Sequence, residues 1–277
     1  MNKIVLLSNA ENLPKGAFDF ACMLNEQQAI LLAGVFLPKM DYWNALLYFS
    51  FGAAAPLLYY TPEGTETLTE NTAIKEFESL CQHNGIEYRV HNYNESFEDI
   101  KKYIKIESRF ADLLLFSNDL FYKELTTEMY NEYAEETMHH AECPIMIIPE
   151  AYAKPDNIVL TYDGSASSVY AIKQFAALLP ELTKLETLLV YINPSEKHSF
   201  PEMDFIEEFA ERHFSNLSFL KLEIEPEKYF GTWLEDRKNT LLVAGAKSRN
   251  GISELFHKSF VGDLLKEHKI PIFITHK

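Results

Sequence analysis

The chain has 277 residues, enough for one large domain or two of ordinary size, and its 47% hydrophobic and 13% aromatic content suits a well-cored globular protein rather than a disordered one. A formal net charge of −16, with no run of lysines and arginines to offset it, argues against a nucleic-acid partner, because backbone binding rests on basic side chains. Three widely spaced cysteines (Cys22, Cys81 and Cys143) without C-x-x-C spacing fit buried thiols in a reducing compartment and argue against a disulfide frame or a zinc site.

The first apolar run, Ile4–Leu7, reads as a buried strand and is too short for a secretory core, so the chain is expected to be cytoplasmic. Ala29–Phe36 is a second strand. Trp43–Tyr60, "WNALLYFSFGAAAPLLYY", is free of charge and just long enough for a membrane span. It also holds Asn44, Gly52 and Pro56, and is read instead as a buried or partner-covered aromatic insertion within 40–62, with no membrane contact. "TAIKEFESLCQHNG" follows as an amphipathic helix, apolar at Ile74, Phe77, Leu80 and Cys81 and stopped by Gly85. Leu113–Phe116 and Ile145–Ile148 are further strands. Beyond "PEAYAKPD", strands are expected near 157–161, 186–192, 217–224, 240–244 and 271–275, with helices between them.

These elements repeat. Ile4-Val5-Leu6 aligns with Ile158-Val159-Leu160, "DLLLFSND" at 112–119 with "TLLVAGAK" at 240–247, and "CPIMII" at 143–148 with "IPIFIT" at 270–275. Two homologous domains, 1–150 and 151–277, are the simplest reading, the first lengthened by the aromatic insertion. Continuous rather than alternating apolar runs mark strands buried on both faces of a parallel sheet. The expected fold class is therefore α/β: two tandem Rossmann-like domains, each a five-stranded parallel sheet flanked by four helices.

"NIVLTYDGSASSVYAIKQFAALL" resembles the opening of the universal stress protein family, a strand followed by Asp-Gly-Ser and a helix. "LLVAGAKSRNGISELFHKSFVGDLLKEHKIPIFIT" is similar to that family's ending, in which a Gly-x-x-Gly turn and a later Gly-Ser pair open the last helix. Two copies in one chain look like the family's tandem form. The resemblance implies an adenine-nucleotide-like α/β fold, a non-enzymatic stress-response binding or signalling module, and pairing of the two fifth strands, Ile145–Ile148 beside Ile272–Ile274, in an intramolecular pseudo-dimer. A homodimer and an unidentified protein partner are compatible with it.

Carried over residue by residue, the family's nucleotide site falls on Asp163, Gly245, Ser248, Lys258 and Ser259, with Thr161 and Lys247 as further candidates beside it; the implied ligand is ATP or AMP, with Mg²⁺ only alongside it. Glycines there let backbone N–H groups approach phosphate oxygens, and the helix N-terminus adds partial positive charge. Of three motif glycines only Gly245 survives; Ser248 and Lys258 stand for the others. Lys247, Arg249 and Lys258 against Glu254 leave the loop locally basic, so cations can replace lost backbone contacts to an anion. In the first copy Asn9 replaces Asp163 and Ser117 replaces Gly245, and the motif is gone. In Asp163-Gly164-Ser165 the aspartate also reads as the cap of a helix starting near Ala166, with Gly164 supplying the turn.

Other constellations are bland. His139, His140, Glu142 and Cys143 fit a helix end better than a metal site, since adjacent helical histidines point about 100° apart. Glu207 to His213 fits a solvated helix face. No catalytic motif is present, so no enzyme is expected. Two alternatives stand beside the binding module: a scaffold that uses the aromatic insertion for a protein or apolar ligand, and a slow ATP hydrolase.

Overall fold

The computed structural model describes residues 2–9, 12–37, 66–93, 97–117, 137, 140–193, 199–246 and 270–276. Its first half contributes β1 (Asn2–Asn9), β2 (Ile30–Leu37), β3 (Glu87–Asn92), β4 (Leu113–Ser117) and β5 (Ile145–Ile148). Its second half contributes β6 (Asn157–Tyr162), β7 (Glu186–Ile192), β8 (Asn216–Leu222), β9 (Thr240–Ala246) and β10 (Ile272–His276). The described helices are α1 (Lys15–Gln27), α2 (Glu66–His83) and α3 (Phe97–Arg109), then α4 (Ala166–Leu178), α5 (Met203–Glu211) and α6 (Pro226–Glu235). Between β4 and β5 only residues 137 and 140 are described as helical; the fourth helix expected in the second half, and the aromatic insertion at 40–62, lie outside the described residues.

All ten strands join one sheet in the order β3-β2-β1-β4-β5-β10-β9-β6-β7-β8. Each half is parallel and has the same internal order, with the crossover between its first and fourth strands. The halves meet at β5 and β10, which pair antiparallel, Ile145 opposite Ile274 and Ile147 opposite Ile272. That is the pairing of fifth strands which the family resemblance implies. An antiparallel seam sets the halves head to tail, so their strand carboxyl ends open at opposite edges of the sheet.

The continuous apolar runs form strands because both sheet faces are covered. One face packs against α1, α2, α4 and α5, the other against α3 and α6. On the first, Phe77 of α2 meets Phe18, Phe36 and Tyr88 edge-on at 6.3, 5.7 and 5.8 Å. In the second half, Phe175 of α4 meets Phe273 of β10 edge-on at 5.3 Å, fastening the helix over the seam strand. α4 begins where expected, buries Ala171, Ile172, Phe175 and Ala176, and ends at Leu178.

β3, "EYRVHN", has no apolar run to announce it. As an edge strand it alternates, with Tyr88 and Val90 packed on the core under α2. On its other face the buried Glu107 carboxylate of α3 accepts the Tyr93 hydroxyl at 2.7 Å, binds His91 Nδ1 at 2.5 Å and lies 3.7 Å from the Lys3 ammonium. This polar cluster clamps the edge strand to its helix. Strand β8 ends at Leu222, two residues short of the expected 224. No helix among the described residues is long and apolar enough to cross a membrane.

Phe77 is fully buried among three aromatic rings. Phe77→Ala is expected to lower stability by about 3–5 kcal/mol, read as a fall in the urea midpoint with the slope unchanged.

Candidate functional site

An open α/β sheet has its natural ligand crevice where the strand order reverses, at the carboxyl ends of the two strands on either side. In the second half these are β6 and β9. Their ladder runs from Asn157–Thr240 to Leu160–Val243 and stops. β6 nevertheless stays paired with β7 to Tyr162–Tyr191, and β9 with β10 to Ala246–His276. The two strands therefore part beyond Leu160 and Val243, which opens the crevice.

Thr161 sits at its root. The residue is 3% exposed, and its Oγ1 donates to the Val243 carbonyl at 3.0 Å, a side-chain link where the ladder fails. Its hydroxyl is thus already engaged with the strand opposite. Asp163 sits exposed at the mouth, and its Oδ1 accepts the Ser165 N–H at 2.8 Å, an Asx turn. Gly164, at φ +79°, supplies the left-handed step of that turn. The cap itself is Ser165: its Oγ accepts the Ser168 N–H at 3.2 Å. The expectation that Asp163 caps α4 is corrected accordingly, because the aspartate lies two residues too early to reach the third helical N–H.

Gly245 lies across from this turn. A Cβ added there would fall 2.3 Å from the Ser167 carbonyl oxygen and 2.7 Å from the Ser168 nitrogen. The first turn of α4 thus rests directly on the β9 backbone, and only glycine permits that approach. Asp163, Gly245 and the start of α4 are brought together. Lys247, Ser248, Lys258 and Ser259 lie outside the described residues.

The first half treats the same place differently. The start of α1 has no side-chain cap from Pro14, and the Lys15 N–H instead donates to the Glu150 carboxylate at 3.1 Å. Ser117, where Gly245 has its counterpart, is fully buried, and its hydroxyl has no partner among the described residues. An internal carboxylate thus serves the helix end that an outside anion would need.

The weaker candidates are structural. Glu142 holds Arg109 through two hydrogen bonds of 2.6 and 2.9 Å. Burial pushes the Cys143 thiol up to about 12, which disfavours the thiolate a metal needs. His139 lies outside the described residues. In the 207–213 stretch, α5 buries Ala210 and exposes Glu208 and Glu211.

The sequence reading missed one feature beside the crevice. A cavity of about 410 Å³ runs between α4 and α5, lined among others by Tyr162, Tyr170, Lys173, Glu202, Phe205 and Phe209. Nothing in "FPEMDF" announces it, because it depends on the backbone conformation at Glu202.

No protein-family model matches the chain, and no curated protein matches it by sequence. Solved structures do match along its whole length. A universal stress protein from Archaeoglobus fulgidus superposes with a TM-score of 0.60 at 12% identity, covering 100% of this chain and 96% of that one. A second structure, provisionally described as a universal stress protein, comes from Pseudomonas aeruginosa UCBPP-PA14 and gives 0.53 at 11%, covering 100% and 93%. A protein of unknown function from Pseudomonas aeruginosa PAO1 gives 0.55 at 11%, covering 100% and 92%. The fold is that of the universal stress proteins. Coverage of both chains from end to end means that the likeness takes in both halves, so the two-half sheet is itself part of the universal stress protein likeness.

Gly245→Ala forces a methyl group into the α4 backbone and is expected to cost about 1–3 kcal/mol. Thermal melting without any ligand checks this; an unchanged midpoint would show that helix and strand are not in that close contact.

Proposed function

We propose that the chain is a non-enzymatic, cytoplasmic binding module of the universal stress protein type, whose second half holds an adenine nucleotide weakly. The observation that carries this reading is the parting of β6 and β9 beyond Leu160 and Val243, with Asp163 and the first turn of α4 at the opening. In it, Asp163 faces the nucleoside, and the helix start beside Gly245 supplies N–H groups and partial positive charge to the phosphates. Lys247, Ser248, Lys258 and Ser259 complete the phosphate seat from the loop that follows β9, with lysine charge standing in for two missing glycines. ATP or AMP is the ligand, and Mg²⁺ arrives only with it. Binding is favoured over hydrolysis because the Thr161 hydroxyl is committed to Val243 and the Asp163 carboxylate to the Ser165 N–H. The first half, its helix end served by Glu150, acts as the structural partner in the pseudo-dimer.

Melting with and without millimolar ATP or AMP, each with and without Mg²⁺, tests the reading. A ligand at a hundred times its dissociation constant adds about 2.7 kcal/mol and raises the midpoint visibly. Asp163→Ala and Lys258→Glu are expected to abolish that rise. No rise with any adenine nucleotide would remove the pocket while leaving the fold intact, and phosphate release lost in the same variants would make the protein a hydrolase.

A further inference from the structure

The groove between α4 and α5 lies beside the crevice, on the helix-covered face, and shares with it only the turn at Gly164–Ala166. Two features meet in it, the conformation of Glu202 and the exposure of Phe205. Glu202, directly before α5, has a left-handed backbone, φ 42° and ψ 45°, and makes no side-chain cap to its helix. An unbranched glutamate rarely adopts that conformation, and such outliers collect at binding and switch sites. Its side chain turns instead toward Tyr162, a residue 2% exposed whose hydroxyl donates to the Pro201 carbonyl at 3.0 Å and lies 3.3 Å from Glu202 Oε2. The other feature is Phe205, which is 76% exposed and forms part of the groove's apolar wall together with Val169, Ile206 and Phe209.

The chemistry of the groove is graded from end to end. At the Tyr162 end stands the carboxylate of Glu202, and no ion pair to it is present among the described residues. The middle is walled by Val169, Tyr170 and Phe205. At the far end the Lys173 ammonium lies over the Phe209 ring, 5.4 Å from its centroid. That end already holds a cation on an aromatic face, and a second one is repelled from it. From Ser165 to Lys173 along α4 is about 12 Å at the helical rise of 1.5 Å per residue, which bounds the length of an occupant.

We propose that this groove binds a small amphipathic organic ammonium, its cationic head against Glu202 and its apolar body between Tyr170 and Phe205. A carboxylate set among aromatic rings is the arrangement that recognises ammonium groups, the charge pairing with the acid and the C–H surface resting on the ring faces. A volume of about 410 Å³ suits a molecule of this size. The chain's charge of −16 favours the approach of a cation from solution. Lys173 limits the other end to a neutral or anionic tail.

The test uses the full chain without nucleotide and three probes of one shape: 2-phenylethylammonium, 2-phenylethanol and phenylacetate, followed by saturation-transfer NMR and titration. The ammonium is expected to bind and the phenylacetate not to. Glu202→Gln, which keeps the shape and removes the charge, should weaken binding by about tenfold or more. Phe205→Ala should weaken it as well, and both residues are exposed enough for the variants to fold. Glu202→Gly, which relieves the backbone at that position, should melt no lower than the parent and still fail to bind. Equal binding of all three probes, binding unchanged in Glu202→Gln, or no binding of the ammonium at millimolar concentration would overturn the proposal. Adenine-nucleotide binding is read separately, by melting, through Asp163→Ala and Lys258→Glu, neither of which alters a residue that lines the groove.

Discussion

The antiparallel pairing of β5 with β10 is the contact on which the architecture rests. Each of these strands ends the sheet of its own half, and each is apolar and fully covered only because the other is there. Apart, they would be bare edges of "IMII" and "IFIT", the kind that recruits other chains. Joined, they turn two five-stranded sheets into one of ten, with the more polar β3 and the half-exposed β8 at the ends. A four-residue strand can carry this because side chains from both halves close over it on both faces.

The direction of that pairing has a functional consequence. Because the halves run head to tail, their crevices lie at opposite edges of the sheet and cannot share one ligand. Each is then free to keep or lose its chemistry alone. The second half retains an Asx turn, a serine cap and a glycine beneath the helix. In the first, Glu150 reaches back from the connecting segment to the start of α1. Gly245 has a structural role of its own. Its intimate contact with Ser167 is reason enough for a glycine, so its survival is a packing requirement first and a ligand signal second. The parting of the strands, not the glycine, is what makes the crevice.

Much of this was legible in the residues, and the reasons are physical. Strands such as Ile4–Leu7 and Leu241–Val243 read clearly because burial on both faces demands an unbroken apolar run. The start of α4 read clearly because Ser165 and Gly164 act within a few residues of themselves. β3 did not, since an edge strand needs apolar residues on one face only, and its other face is held through His91 by Glu107 of the helix that follows. The residue pattern names Thr161 but not the partner of its side chain. Its hydroxyl answers Val243, and a register gap between β6 and β9 is not written in either strand. The groove at Glu202 was invisible for the same reason, as it rests on a backbone angle and a tyrosine forty residues earlier in the chain.

Native-state hydrogen exchange across the sheet tests the seam most directly. If β5 and β10 unite the halves, their amides exchange only through global unfolding, with the same opening free energy as the centres of β1 and β6. Faster exchange at β5 and β10, through an opening that leaves β1 and β6 protected, would mean two sheets in contact rather than one.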